Sequence, residues 1–337
     1  MAIAAEDWIN EQKRNFFKFT GRERPSDDAV FILVMGMTGS GKSTFIAQAT
    51  GKDVTVGHGL SSCTSGISIY NGKVDGRSVY LIDTPGFDDT HVSDFDTLQT
   101  LATYLSISYH RNVYVHGIVL LHSIASSRIT GSARRAIAMF QALCGPTTNS
   151  NVALATTFWA SSSEPRSLLK AREGQLVSDE SFFGPIAAGG ARAFRHAEHG
   201  LPSGPASARR IVSHLIKQAR VAPVVLDIQH ELVNKRLRLD QTAAGRIALG
   251  AAATVVSATK HRIEDIRAEL CRASQRNDSD TVGALMEVKL DLDQRLADVA
   301  AANRKLALNM QEMAALEQSL LVGSPYPPTL ETGNESR

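Results

Sequence analysis

Between residues 30 and 219, short apolar runs alternate with stretches whose apolar residues recur every three or four positions. The runs predict strands over Val30–Met35, Ile67–Tyr70, Ser78–Ile82, Gly117–Leu121 and Val152–Thr156. The stretches between them predict helices over Thr44–Thr50, Asp94–Ser106, Gly131–Leu143 and Ala206–Ala219. Alternation of this kind implies an α/β fold, a mostly parallel sheet with helices on both faces. Residues 161–205, rich in Ser, Gly, Ala and Pro, read as loops around one short helix. Ahead of the alternating region, residues 1–28 form a polar leader of mixed charge, expected as a loosely ordered arm. Its Phe16-Phe17 pair offers a means of docking.

Past Pro223 the pattern changes to helix alone. Helices are expected over Val224–Ala244 and Thr254–Ser274, followed by a break at Asn277-Asp278-Ser279-Asp280. A sevenfold repeat then runs Leu285, Leu292, Val299, Leu306, Met313 and Leu320. The offset positions hold Val282, Leu296 and Met310, but also Lys289, Asn303 and Glu317. A strict heptad predicts a supercoiling, coiled-coil helix in which the polar offset residues weaken the seam and fix its register. The alternative is a long amphipathic helix folded back on the preceding domain. The expected division is therefore a leader over 1–28, an α/β domain over 29–222, a helical extension over 223–322 and a disordered tail over 323–337.

Bulk properties narrow the function classes. At 337 residues the chain accommodates one sizeable domain plus an extension. A formal net charge of +2, with 21% charged residues, gives no case for nucleic acid as the main partner. Cys63, Cys144 and Cys271 are odd in number and lack metal-ligand spacing, which fits a reducing compartment. Glu6 and Asp7 stand where a signal peptide needs basic and then apolar residues. The weakly polar stretch Ile247–Ala258 is too short to span a bilayer. The expectation is a soluble cytoplasmic protein with no transmembrane span.

The chemistry is concentrated after the first strand. Gly36-Met37-Thr38-Gly39-Ser40-Gly41-Lys42-Ser43, followed by Thr44, is the G-x-x-x-x-G-K-S phosphate loop, the P-loop, and it follows an apolar strand as that motif requires. Its glycines let successive N–H groups line a concave nest around phosphate oxygens. Lys42 is placed to reach the β- and γ-phosphates, the Ser43 hydroxyl to ligate Mg²⁺, and the helix that follows adds the positive end of its dipole. A second apolar strand ends in Asp83-Thr84-Pro85-Gly86, a D-x-x-G element. Asp83 is expected to hold Mg²⁺ through a water, and the Gly86 amide to hydrogen-bond the γ-phosphate and lose that partner on hydrolysis. Between the two motifs, in Val56–Ser65, one hydroxyl is needed to complete the Mg²⁺ shell. Thr64 is the candidate, with Ser62 and Ser65 as competitors, and Gly57 and Gly59 give that loop freedom to move.

VMGMTGSGKSTFI, GHGLSSCTS and LIDTPGFDDT, in this order, resemble the immune-associated nucleotide-binding (GIMAP-type) GTPases, related to septins and chloroplast Toc receptors. The likeness covers about Ala29 to Ala219 and is nearest to fungal "G domain-containing" P-loop proteins with helical tails. It implies GTP and GDP binding, an Mg²⁺ cofactor, slow GTP hydrolysis, and a homodimer formed through the nucleotide-binding faces.

Two departures bear on that expectation. Phe87 follows Gly86 where Ras-type enzymes carry a water-orienting Gln, so turnover should be slow and assisted in trans. Asp88 and Asp89 could orient water or cap the next helix; Arg128 could act as a charge-stabilising finger or stand as a solvated loop residue; His122 could face the nucleotide or serve locally. After the Val152–Ala155 strand the chain reads Thr156-Thr157-Phe158-Trp159-Ala160, where the resembling family has T-T-x-W-D. Ala160 cannot accept the guanine N1–H and N2–H pair, which weakens base discrimination. Thr157 and Trp159 are the candidate nucleotide contacts on this loop, Glu164 a candidate replacement carboxylate, and Arg195 and His196 candidates on a second base loop within Ala187–His199. Three readings stand: a slow GTPase switch whose tail is the output element, a nucleotide-locked scaffold, and an NTPase with ATP preference.

Overall fold

The computed structural model describes residues 2–52, 54, 66–86, 94–126, 130–159, 162–198, 203–219 and 224–322, with the side chains of 2–9 and 319–322 outside the description. Six strands form one sheet in the order β2-β3-β1-β4-β5-β6. They are β1 (Val30–Gly36), β2 (Ser68–Val74), β3 (Arg77–Asp83), β4 (Gly117–Ser123), β5 (Val152–Thr157) and β6 (Arg192–Arg195). Every neighbouring pair is parallel except β2 and β3, which run antiparallel. Both β1 and β5 are buried along their whole length, because helices cover both faces. Alternate β1 residues serve separate cores: Val30, Ile32 and Val34 pack with Phe45, Ile46 and Ile211, while Phe31, Leu33 and Met35 pack on the other face with Leu98, Leu101 and Phe140.

The first face carries α2 (Lys42–Thr50) and α7 (Gly204–Ala219). The second carries α3 (Asp94–His110) and α4 (Gly131–Cys144), with α1 (Ala2–Phe19) beside β2. Helix α1 corrects the expectation of a loose arm. Phe16 and Phe19 are buried in the core, and the carboxamides of Gln12 and Asn15 bond the N–H and C=O of Ile69 at 2.8 and 2.9 Å. Those two side chains pair both backbone groups of Ile69 on edge strand β2, which water or another chain could otherwise engage.

The region 161–205, expected as loops around one short helix, holds α5 (Arg166–Ser178), α6 (Gly184–Ala188) and β6. Only Leu169, Glu173 and Leu176 of α5 are buried, a stripe too thin to show as a periodic pattern. Strand β6 is a four-residue edge strand, Arg-Ala-Phe-Arg, with one buried side chain. The expected helix over Val224–Ala244 is also replaced: α8 (Asp227–Gln229) runs into a π turn at His230–Asn234, and a 3₁₀ turn follows at Leu239–Gln241.

Helix α9 (Ala243–Gln275) starts from Thr242, whose hydroxyl accepts from the Gly245 N–H at 3.0 Å, and Glu231 accepts from the Ala243 N–H at 3.0 Å. These two oxygens satisfy amides that the first helical turn leaves unpaired. After the expected break, α10 (Ser279–Lys305) packs back along α9 as a hairpin. The heptad is not one supercoiling helix. It is interrupted at Leu306–Asn309, and α11 (Met310–Val322) turns onto α3. The carbonyls of Leu306 and Leu308, freed by the interruption, accept from the Asp240 and Leu239 N–H groups at 2.9 Å each. Asn309 caps α11 by accepting from the Gln311 and Glu312 amides, and Glu312 accepts in return from the Asn309 N–H at 2.7 Å. Leu306 and Met313 are fully buried against the domain, whereas α10 buries no residue completely. The heptad period thus marks faces that pack within the chain. The tail 323–337 lies outside the described residues.

Candidate functional site

The carboxyl ends of β1, β3, β4 and β5 converge on one edge of the sheet, and the turn out of β1 becomes the N-terminus of α2. Gly39 and Gly41 take φ of 77° and 93°, in the left-handed region, and this curls the loop before the helix. A Cβ on Gly36 would collide with the Leu121 carbonyl of β4, so only glycine lets the loop pass that close. Lys42 folds back over the loop, its ammonium donating to the carbonyls of Gly36 and Met37 at 3.1 and 3.2 Å.

Strand β3 brings the second motif alongside. The Thr84 hydroxyl donates to the Val34 carbonyl at 2.9 Å and fastens the exit of β3 to β1. At Gly86 a Cβ would lie 2.6 Å from Thr38 Oγ1, 2.8 Å from Thr38 N and 3.0 Å from Lys42 Nζ. Gly86 therefore abuts the P-loop and its lysine, which explains why no larger residue can stand there. The Ser43 hydroxyl donates to Asp83 Oδ2 at 3.4 Å, while Asp83 Oδ1 is buried with no hydrogen-bond partner among the described residues. Burial pushes the Asp83 carboxyl up to about 6, against the opposing pull of Lys42 and the Ser43 hydroxyl.

An orphaned buried carboxylate oxygen beside a serine hydroxyl is a hard-oxygen donor pair that fits Mg²⁺. Mg²⁺ usually takes one or two protein ligands and completes its shell with phosphates and water. Among the described residues no cluster of three or more His, Cys, Asp or Glu has metal-site geometry.

On the other side of β1, the Thr157 hydroxyl at the end of β5 donates to the Ser40 carbonyl at 2.9 Å, tying this loop to the P-loop. Trp159, expected against the nucleotide, is only 5% exposed. Its indole N–H donates to Thr156 Oγ1 at 2.9 Å, and the Arg195 guanidinium lies 5.0 Å above its ring. The exposed aromatic on the loop is its neighbour Phe158, 41% exposed, at a φ of 64°. Sequence reasoning passed over Phe158. The available signal was its position in the motif, third in T-T-x-W.

The remaining candidates are engaged elsewhere. Glu164 accepts from Arg172 at 2.6 Å. Arg195 is paired with Glu173 at 2.6 Å, and His196 is buried edge-on to Phe45 with Nδ1 3.2 Å from Ser207 Oγ. Burial lowers the imidazoles of both His196 and His122 to about 4, so both are neutral near pH 7. His122 packs edge-on to Phe183, a local structural role. Thr64, Ser62, Ser65, Phe87, Asp88, Asp89, Arg128 and Ala160 lie outside the described residues.

Residues 31–141 match the family model described as 50S ribosome-binding GTPase. The matched segment is a GTPase G domain. It contains the P-loop and the D-x-x-G element in the arrangement just described. GTP-binding protein A of Dictyostelium discoideum is 30% identical over 129 residues, covering 38% of this chain and 27% of that protein. The probable GTP-binding protein EngB of Methanococcus maripaludis is 33% identical over 78 residues, 23% of this chain and 32% of its own. The chain thus spans about a quarter to a third of these relatives' length. Toc33 from Arabidopsis thaliana, in complex with Mg²⁺ and GMPPNP, superposes with a TM-score of 0.46 at 15% identity, covering 64% of this chain and 95% of Toc33. Among the described residues no helix is long and apolar enough to cross a membrane.

Proposed function

We propose that this G domain binds guanosine triphosphate with Mg²⁺, hydrolyses it slowly, and uses the γ-phosphate to control the elements after Gly86. The observation that carries the reading is the convergence of Lys42, Ser43, Asp83 and Gly86 around one loop, with Asp83 Oδ1 left unpaired. The loop amides and the first turn of α2 cradle the β- and γ-phosphates. Lys42 leaves the carbonyls of Gly36 and Met37 for the phosphate oxygens, which as full anions are stronger acceptors. Ser43 and Asp83, with Thr64, would hold the metal. When bound, Mg²⁺ neutralises charge that develops on the phosphate oxygens.

The Gly86 N–H donates to the γ-phosphate and loses that partner after hydrolysis, so the backbone there has two states. Phe87 offers no hydrogen bond to an attacking water, which supports slow turnover. The motif likeness to immune-associated nucleotide-binding GTPases supports a homodimer through the nucleotide-binding faces as the source of help in trans. The route outward is α3, which begins eight residues after Gly86 and carries both α10 and α11. Lys305 of α10 pairs with Asp96 at 2.8 Å, and Glu317 of α11 pairs with Arg111 just past the end of α3.

Phosphate release from GTP by the purified protein tests the reading. Slow, Mg²⁺-dependent turnover that rises per molecule with protein concentration and is lost in Lys42→Ala is the expected result. Turnover that survives Lys42→Ala would place the activity elsewhere.

A further inference from the structure

We propose that the base of the bound nucleotide is held mainly by the face of Phe158, and that this G domain therefore accepts adenine as well as guanine nucleotides. The inference rests on the nucleotide-site reading above and adds which bases the site takes.

The sheet order places the phosphate end and the base end. Asp83 and Gly86 follow β3, the P-loop follows β1, and Phe158 follows β5 beyond β4. From β3 to β5 is three strand spacings, about 14 Å, along the edge where ligands of open α/β sheets bind. Phe158 Cε2 and Cζ lie 3.7 and 3.8 Å from where a Cβ on Gly41 would stand, so the ring borders the last turn of the P-loop. The Thr157–Ser40 hydrogen bond fixes that placement.

Phe158 is also held in the left-handed region, which side chains with a Cβ disfavour. Its backbone strain and its 41% exposure run against ordinary core packing. Trp159 takes the opposite role, buried under Arg195 with its N–H satisfied.

The hydrogen-bonding side of base recognition is depleted. Position 160 is alanine, so the motif supplies no carboxylate. Among the described residues, three carboxylates of the surrounding elements are committed to arginine: Glu164 to Arg172, Glu173 to Arg195, and Glu198 to Arg166. Glu173 also accepts from the Thr156 hydroxyl at 3.0 Å. None of these is left over for the N1–H and N2–H₂ donors that distinguish guanine from adenine. Stacking on an aromatic face tolerates any base and is worth about 1–3 kcal/mol.

Calorimetric titration with Mg·GTP, Mg·ATP and tripolyphosphate tests this on the full chain and on three variants. GTP and ATP should bind wild type within about tenfold of each other. Phe158→Ala should weaken both by about 10- to 100-fold, in line with the loss of one stacked base, and leave tripolyphosphate unchanged. Phe158→Asn, which suits the left-handed backbone, should give the same result without strain on the fold. Ala160→Asp should raise the preference for GTP over ATP by at least about tenfold. A wild-type GTP preference above about 100-fold, or Phe158 variants that bind both nucleotides normally, overturns the inference while leaving the nucleotide site standing. Binding of neither nucleotide nor tripolyphosphate overturns the site reading itself, and the inference with it.

Discussion

Asp83 at the end of β3 and Glu317 in α11 each bury carboxylate oxygen, and they are treated in opposite ways. Glu317 has a fully buried side chain, and both of its oxygens are satisfied twice. Arg22 donates to Oε1 and Oε2 at 3.0 Å each, and Arg111 donates to the same pair at 3.2 and 3.1 Å. Arg111 also donates to the Thr20 carbonyl at 2.9 Å. One side chain thereby joins the turn after α1, the end of α3 and the C-terminal helix. Among the described residues Asp83 has one long hydrogen bond, from Ser43, and its other oxygen has no partner. Burial without full satisfaction costs free energy, so a fold retains it where a ligand completes the shell. The difference separates a carboxylate that holds the chain together from one arranged to receive something.

The largest expected effect is on the ligand side. Lys42→Ala should weaken Mg·GTP binding by at least about 100-fold, because a charge-assisted contact to phosphate is lost within a preformed cradle. Its denaturation midpoint without nucleotide should stay close to wild type, since the hydrogen bonds of the lysine to Gly36 and Met37 stay within the loop.

On the structural side, Glu317→Ala leaves two arginines facing each other. Breaking a buried pair costs about 3–5 kcal/mol, and the arginines' 29% exposure lets water recover part of it, so about 3 kcal/mol is expected. Urea denaturation checks this, and a variant as stable as wild type would remove the clasp from the account.

Asp83→Asn should act with the opposite sign. The nucleotide-free folded protein keeps the Asp83 proton up to about pH 6, whereas the unfolded chain releases it near 3.8. The cost of the buried charge is therefore absent below pH 3.8 and complete above pH 6. The variant should be about 3 kcal/mol more stable than wild type at pH 8 and equal to it near pH 4. Thermal melts across that range, without nucleotide or Mg²⁺, would show a flat difference if burial were not the cause. The smallest effect belongs to the cap of α11: Asn309→Ala should cost about 1 kcal/mol in the same melts, since Asn309 accepts from two amides of the first turn.

The ligand side was legible in the sequence and the clasp was not, for reasons of range. The P-loop and D-x-x-G element are short because each performs its chemistry through backbone geometry at fixed spacing, and the strands feeding them run into the motifs through apolar residues. Glu317, Arg111 and Arg22 are 206 and 295 residues apart in the chain, and no local pattern links them. In the heptad, Glu317 read as a polar flaw in a seam, although it marks the face of α11 that meets the arginines. The same pattern was right about period and wrong about partner, because sevenfold spacing specifies an apolar stripe without saying what covers it. Asn309-Met310-Gln311-Glu312 did carry the signature of a helix start, which the continuous heptad obscured. On the base side, the loss of the carboxylate at Ala160 was readable, but the exchange of roles between Trp159 and Phe158 depends on a backbone angle.

The most direct test of the central claim is titration of GTP into wild type and Asp83→Asn, each with Mg²⁺ and with EDTA. If Asp83 and Ser43 form a metal-receiving pair beside the P-loop, Mg²⁺ should strengthen GTP binding to wild type by at least about tenfold and have little effect on the variant. Wild-type binding that is equally tight in EDTA would contradict the account.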